Sequence, residues 1–213
     1  MQVMRDSGGG NISTGRGKRQ AQGDDSSIFK ILKMVMQNKF SPVIAFCFSK
    51  RSCEENATQL SKLDFNDDTE KQLVEEVFEN AIDCLGEDDK ELPQVKSILP
   101  VLKRGIGIHH GGLLPLLKET VEILFSEGLI KCLFATETFA MGVNMPARTV
   151  LFCETQKFDG KNLRLMLGSE YSKFLQVNAY DFYLNLCIRT KKTCCIFKWL
   201  VELVDVTKTI AVL

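Results

Sequence analysis

Apolar residues follow two spacings along this chain: short unbroken runs of strand length, and longer stretches where they recur every third or fourth position. Ile28, Ile31, Leu32, Val35 and Met36 fall on one stripe, which predicts a helix over 28–38 that Ser26 or Ser27 can cap. Pro42 then opens PVIAFCFS, a continuous apolar run of the kind a central parallel strand needs when both its faces are covered. Ser52 is placed to cap a helix over 53–62, with Glu54 and Glu55 in the first turn, where the helix dipole favours acids. Residues 64–100 break this alternation. Leu73, Val74, Val77, Phe78, Ala81, Ile82 and Leu85 share one helical face, an acidic link covers 86–91, and Pro93 suits the first turn of another helix. The segment reads as a helical insertion beside a sheet.

The alternation resumes with a short strand over 105–109, a turn at Gly111-Gly112, and a helix over 115–126 that Pro115 starts and Gly128 ends. Strands over 130–135 and 149–153 follow, separated by a threonine-rich turn. Four strands joined through helices predict an α/β fold: a parallel sheet flanked by helices, with right-handed crossovers. Residues 1–25 are rich in Gly, Ser, Asn and Gln and read as a flexible tail, so the domain is expected over 26–171. Within it, the stretch 158–171 reads as a loop and a helix. Residues 172–213 hold Cys194-Cys195, Trp199 and an imperfect helical stripe, and are expected to form a divergent tail, helical or disordered.

Composition narrows this picture only slightly. The 213 residues are 45% hydrophobic and 25% charged, as in an ordinary globular protein, and 27 basic residues balance 27 acidic ones. Any anion-binding surface must therefore be a local patch. The eight cysteines are scattered, none stands in a CxxC pair, and His109-His110 have no cysteine nearby, so a zinc site is not expected. Without a signal peptide, reduced thiols are the default. No uncharged apolar window reaches the ~18 residues of a membrane span, so no membrane partner is expected.

Three segments carry candidate chemistry, because open parallel sheets bind ligands just beyond the carboxyl ends of their strands. In FCFSKRSCEENA, Ser49, Lys50 and Arg51 leave a strand end as one hydroxyl and two cations, suited to a phosphodiester backbone; the plainer reading is a solvated loop. In GIGIHHGGLLP, the third glycine of a dinucleotide fingerprint is replaced by His110, so that motif fails. Gly111 and Gly112 instead permit close approach of a nucleic-acid strand, with His110 as a phosphate donor, or they make a tight turn around a packed histidine. In KCLFATETFAMGVNMPAR, Thr136 and Thr138 offer hydroxyls, Glu137 can order basic neighbours, Gly142 allows close approach, and the Asn144 amide can bond a ribose hydroxyl. Helix capping explains the threonines but not Gly-x-Asn-x-Pro-Ala.

Taken in order, FSKRSCE, GIGIHHGGLLP, EILFSEGLIKCLFATETFAMGVNMPARTVLF and KFDGK resemble successive blocks of the second RecA-like domain of exosome-associated DExH RNA helicases. The resemblance covers about residues 1–171. It implies ATP-dependent RNA unwinding in RNA processing and decay, a nuclear location, and single-stranded RNA, the RNA exosome and its adaptor proteins as partners. It further implies that Ser49, Lys50, His110, Gly111, Thr136, Glu137 and Thr138 face RNA, and that Gly142 and Asn144 face the nucleotide.

The sequence departs from that pattern in what it lacks. No GxxxxGK[ST] loop and no Asp-Glu-x-His box occur, and after Tyr171 no Gly-Arg-x-Gly-Arg sequence supplies an arginine finger. The intact family enzyme uses ATP and Mg2+; neither is expected to bind this chain tightly alone, and no catalytic residue is assigned. The alternative expectation is a non-catalytic fragment that acts through interactions or misfolds.

Overall fold

The computed structural model describes residues 27–60, 62–141, 147–171, 183–189 and 194–200; side chains are described for 28–60, 62–139 and 147–171. At its centre lie four short parallel strands: β1 (Val43–Phe46), β2 (Ile106–His109), β3 (Cys132–Ala135) and β4 (Thr149–Phe152). β1 pairs with both β3 and β4, and β2 pairs with β3, all parallel. The α/β sheet expected from the apolar runs is what forms.

Alternate residues of each strand enter different cores, as the two-residue period of a strand demands. Ile44, Phe46, Leu133, Ala135, Val150 and Phe152 pack on one face against α3 (Asp68–Ile82), α5 (Pro93–Leu102) and α6 (Pro115–Ser126). Val43, Ala45, Cys47, Cys132, Phe134, Leu151 and Cys153 pack on the other against α1 (Ser27–Gln37) and α2 (Lys50–Gln59). The insertion is helical as expected, with a one-turn helix α4 (Glu87–Lys90) inside the acidic link. A capping box between Asp67 and Glu70 starts α3, and the Lys131 ammonium reaches Glu70 at 2.7 Å, tying the insertion to the start of β3. Gly105, at φ +76°, sits where an added Cβ would lie 2.6 Å from Asn66 Oδ1, so the chain entering β2 requires glycine.

Three expectations need correction. The helix after β1 begins at Lys50 with Ser49 as its cap, because Ser49 Oγ accepts the Ser52 N–H at 3.0 Å. The stretch expected as a loop holds a hairpin, β5 (Gln156–Phe158) and β6 (Leu163–Leu165), since Asp159 accepts the N–H groups of Lys161 and Asn162 and Gly160 takes φ +99°. The tail expected as helical or disordered supplies β7 (Tyr183–Arg189), parallel to β4, and β8 (Cys194–Leu200), antiparallel to β7. Their sequences, YLNLCIR and CCIFKWL, are rich in apolar, aromatic and β-branched residues that suit strands better than an uneven helical stripe. The sheet order is β2-β3-β1-β4-β7-β8.

An ion network holds the hairpin to the sheet edge. Lys157 Nζ lies 2.5 Å from Glu137 and 3.6 Å from Glu170, while Arg164 grips Glu170 through two 2.8 Å bonds. The Arg164 guanidinium, then the Leu167 N–H, hold the Glu170 carboxyl down at about 2. Next to Glu170, buried Tyr171 meets Phe152 edge-on at 4.8 Å, and Phe152 stacks on Phe46 at 5.7 Å.

Two outcomes follow. Phe152→Ala empties a fully buried ring site and is expected to cost about 3–5 kcal/mol in urea unfolding. Phe158→Ala, at a ring 61% exposed, serves as the near-neutral comparison. Because the folded state depresses Glu170, its contribution is present above the ordinary carboxylate range and fades as pH falls toward about 2. Unfolding curves of Glu170→Gln should show lower stability at neutral pH and a shallower loss on the acid side; parallel curves for both proteins would refute the assignment.

Candidate nucleic-acid interface

Parallel pairing in register brings the carboxyl ends of β1, β2, β3 and β4 to one edge. Phe46, His109, Ala135 and Phe152 stand at the same level. One residue further, the Cys47 N–H donates to the Ala135 carbonyl at 2.9 Å, Thr136 N–H to His109 at 3.1 Å, and Cys153 N–H to Phe46 at 3.0 Å. The turns around Lys50, His110 and Thr136 therefore leave the sheet side by side, on a single rim.

At the β1 turn, Ser49 is exposed and its oxygen caps α2 as an acceptor, so its hydroxyl can still donate. Lys50 is exposed at the first helical position and makes no ion pair among the described residues. Arg51 is turned to Glu55 at 2.6 Å. Ser52 Oγ donates to Glu154 at 2.8 Å, joining the helix to the end of β4. A helix N-terminus with exposed donors is a ready anion site.

The β2 turn differs from expectation. His110 is only 3% exposed. Its Nδ1 accepts the Gly112 N–H at 3.1 Å, so Nε2 carries the proton and donates to Glu54 at 3.2 Å. Both ring nitrogens are spent inside the protein, and His110 has no donor left for a phosphate. It instead fastens the turn to α2. Gly111 is exposed, with open space where a Cβ would stand. The tight position is Gly112, where a Cβ would lie 3.1 Å from the His110 ring and 3.2 Å from Lys50 Cδ. His109 points the other way: its Nε2 meets Glu122 at 2.7 Å and its ring meets Phe139 at 4.7 Å. Burial lowers its pKa despite the Glu122 carboxylate.

Beyond β3, a 3-10 turn (Glu137–Met141) begins, anchored by buried Phe139, whose N–H donates to the Thr136 carbonyl. The Thr136 and Thr138 hydroxyls lie 3.1 Å apart, with Thr138 exposed. Glu137 is taken up by Lys157, so it orders a basic neighbour as its type suggested. Gly142 and Asn144 lie outside the described residues. Residue patterns missed the site roles of Glu54, Lys157 and Glu154, whose partners are distant in sequence; Gly112 was singled out with Gly111, and it is the tighter of the two. No helix among the described residues is long and apolar enough to cross a membrane, and none of their side chains cluster as a metal site.

No family model matches the chain. It is 63% identical over 171 residues to the human exosome RNA helicase MTR4, covering 80% of this chain and 16% of that protein. Over 162 residues it is 57% identical to the ATP-dependent RNA helicase mtr4 of Schizosaccharomyces pombe, covering 76% and 14%. With the antiviral helicase SKI2 of Saccharomyces cerevisiae it shares 44% identity over 144 residues, 68% and 11% of the two chains. It thus spans about one sixth or less of the length of these relatives. The identity to these helicases and the RecA-like parallel sheet agree: the matched part of the chain is similar to a part of the DExH-class RNA helicases.

Proposed function

We propose that this rim holds the sugar-phosphate backbone of single-stranded RNA, as part of the second motor domain of an ATP-dependent RNA helicase acting with the RNA exosome and its adaptors in the nucleus. The observation that carries the reading is the shared edge where the Ser49 hydroxyl, the unpaired Lys50 ammonium and the Thr136–Thr138 hydroxyl pair stand at adjacent strand ends. These groups donate to phosphate and sugar oxygens and do not discriminate bases. Glu137 contributes by fixing the turn through Lys157, and His110 with Gly111 and Gly112 shapes the turn rather than touching RNA. Gly142 and Asn144 are proposed to face the nucleotide.

In an intact enzyme of this kind, ATP hydrolysis would supply the energy of unwinding, with Mg2+ neutralising charge on the phosphates. The sequence here lacks the phosphate-binding loop, the acidic box and the arginine finger that such a site requires, so no hydrolytic step is assigned to its residues. Removing an arginine finger alone costs on the order of 10³–10⁵ in rate. The purified chain should show no RNA-stimulated phosphate release above a protein-free control; a clear stimulated rate would overturn this part of the proposal.

RNA binding is read by fluorescence anisotropy with a labelled oligouridylate across a salt series. Affinity should fall as salt rises, and Lys50→Ala should weaken binding several-fold for every sequence tried, lowering the slope of log K against log salt by about 1. An unchanged Lys50→Ala curve, with the folded state verified by circular dichroism, would remove the rim from RNA contact.

A further inference from the structure

The helical insertion carries a surface that the RNA reading leaves unused. α3 and α5 pack on the same sheet face and against each other, and a cleft of about 250 Å³ opens between them. Phe78 is 4% exposed and lies deepest, while Ile82, one turn further along α3, and Leu99 of α5 are half-buried. Glu79 and Asp83, both exposed, complete the lining. Sites for small molecules occupy about 300–1,000 Å³. This cleft is smaller, and suits one or two apolar side chains from a protein segment.

Charge selects the kind of segment. Twelve of the 27 acidic residues lie between Asp64 and Glu91, against two basic ones, Lys71 and Lys90. Several are used within the domain: Glu70 by Lys131, Glu75 by Lys103, and Asp83 by Lys90, which also holds Glu87 of α4. That shared lysine brings α4 to the edge of the cleft. Glu79, Glu76 one turn before it, and Asp88 and Asp89 of α4 are exposed and make no ion pair among the described residues. Acids that only solvate a helix need no apolar hollow among them. An apolar hollow rimmed by polar groups suits a protein contact, and a rim of one sign favours a partner of the other.

We propose that this cleft docks a basic segment of a partner protein. A bulky apolar residue of that segment enters between α3 and α5 over Phe78, and lysine or arginine residues on either side of it meet Glu76 and Glu79. The surface shares no residue with the rim, so the inference stands whether or not the rim binds RNA.

The probe is a synthetic nonapeptide with a central phenylalanine between two pairs of lysines, titrated into the full nitrogen-15-labelled chain at low salt. Saturable amide shifts are expected around Phe78, Glu79, Ile82 and Leu99, weakening as salt rises. Glu79→Lys should lower the affinity several-fold, as should alanine at the centre of the peptide. Because Glu79 is exposed and unpaired, its exchange should leave amide signals away from α3 in place, which verifies the fold. Failure to saturate, shifts spread over every acidic stretch, or equal affinity for the alanine peptide would overturn the proposal. So would wild-type shifts at the cleft that follow protein concentration without peptide, since a second copy would then be the occupant.

Discussion

The arrangement of β2, β3, β1 and β4 in one parallel register governs everything else in this structure, because it decides where four chain ends emerge. Parallel strands cannot be joined by tight turns; each must be followed by a crossover that returns the chain to the opposite edge. Every strand exit therefore lands on the same side, and residues separated by up to about a hundred positions become neighbours there. The Thr136 N–H on the His109 carbonyl and the Cys153 N–H on the Phe46 carbonyl are local expressions of that constraint. A one-residue slip would send Cys47 and Cys153 to the opposite core and dissolve the level rim.

Within the rim, polar groups divide into those that hold the architecture and those left outward. His109 and His110 show the division most clearly. As successive residues at a strand end they face opposite sides, one to Glu122 of α6 and the other to Glu54 of α2. Each imidazole is bonded to a carboxylate, and neither is available to a ligand through its bonded nitrogen. Burying a ring with an unpaired donor would cost more than the hydrogen bond it makes, so these pairs are what permits polar residues so near the core. The groups that remain outward are Ser49, Lys50 and Thr138, all on turns that the buried pairs immobilise.

The main strands and the insertion were legible in the sequence because their apolar periods are uninterrupted: Val43–Phe46, Cys132–Ala135 and Thr149–Phe152 are all buried, and α3 buries Val74 and Phe78 of its stripe, although Leu73, expected on that face, is exposed. The start of α2 was not, since Ser49 and Ser52 both satisfy the rule for a cap and only geometry shows which oxygen meets a free N–H. The hairpin escaped because its strands are three residues long and half exposed, too short for alternation to register, although Asp159-Gly160 marked its turn. For the site, residue type identified which turns matter but not what each side chain does. His110 reads as a phosphate donor until Glu54, 56 positions away, is seen to occupy it.

The proposed grip on phosphate does not depend on a basic surface, and the charge balance explains why. Arg51 is paired with Glu55 and Lys157 with Glu137 and Glu170, and both ring nitrogens of His110 are bonded within the protein. The nearby carboxylates Glu54 and Glu154 are hydrogen-bonded by His110 and Ser52, which fixes where they stand. What is left among the described residues is short-ranged: one ammonium, three hydroxyls and the N–H groups of Lys50 and Arg51 at the start of α2. Such a site attracts a backbone only on close approach and with the right geometry, since exposed charges further than about 8 Å are largely screened at physiological salt. Contacts of this kind are weak singly and are ordered together by the same sheet register.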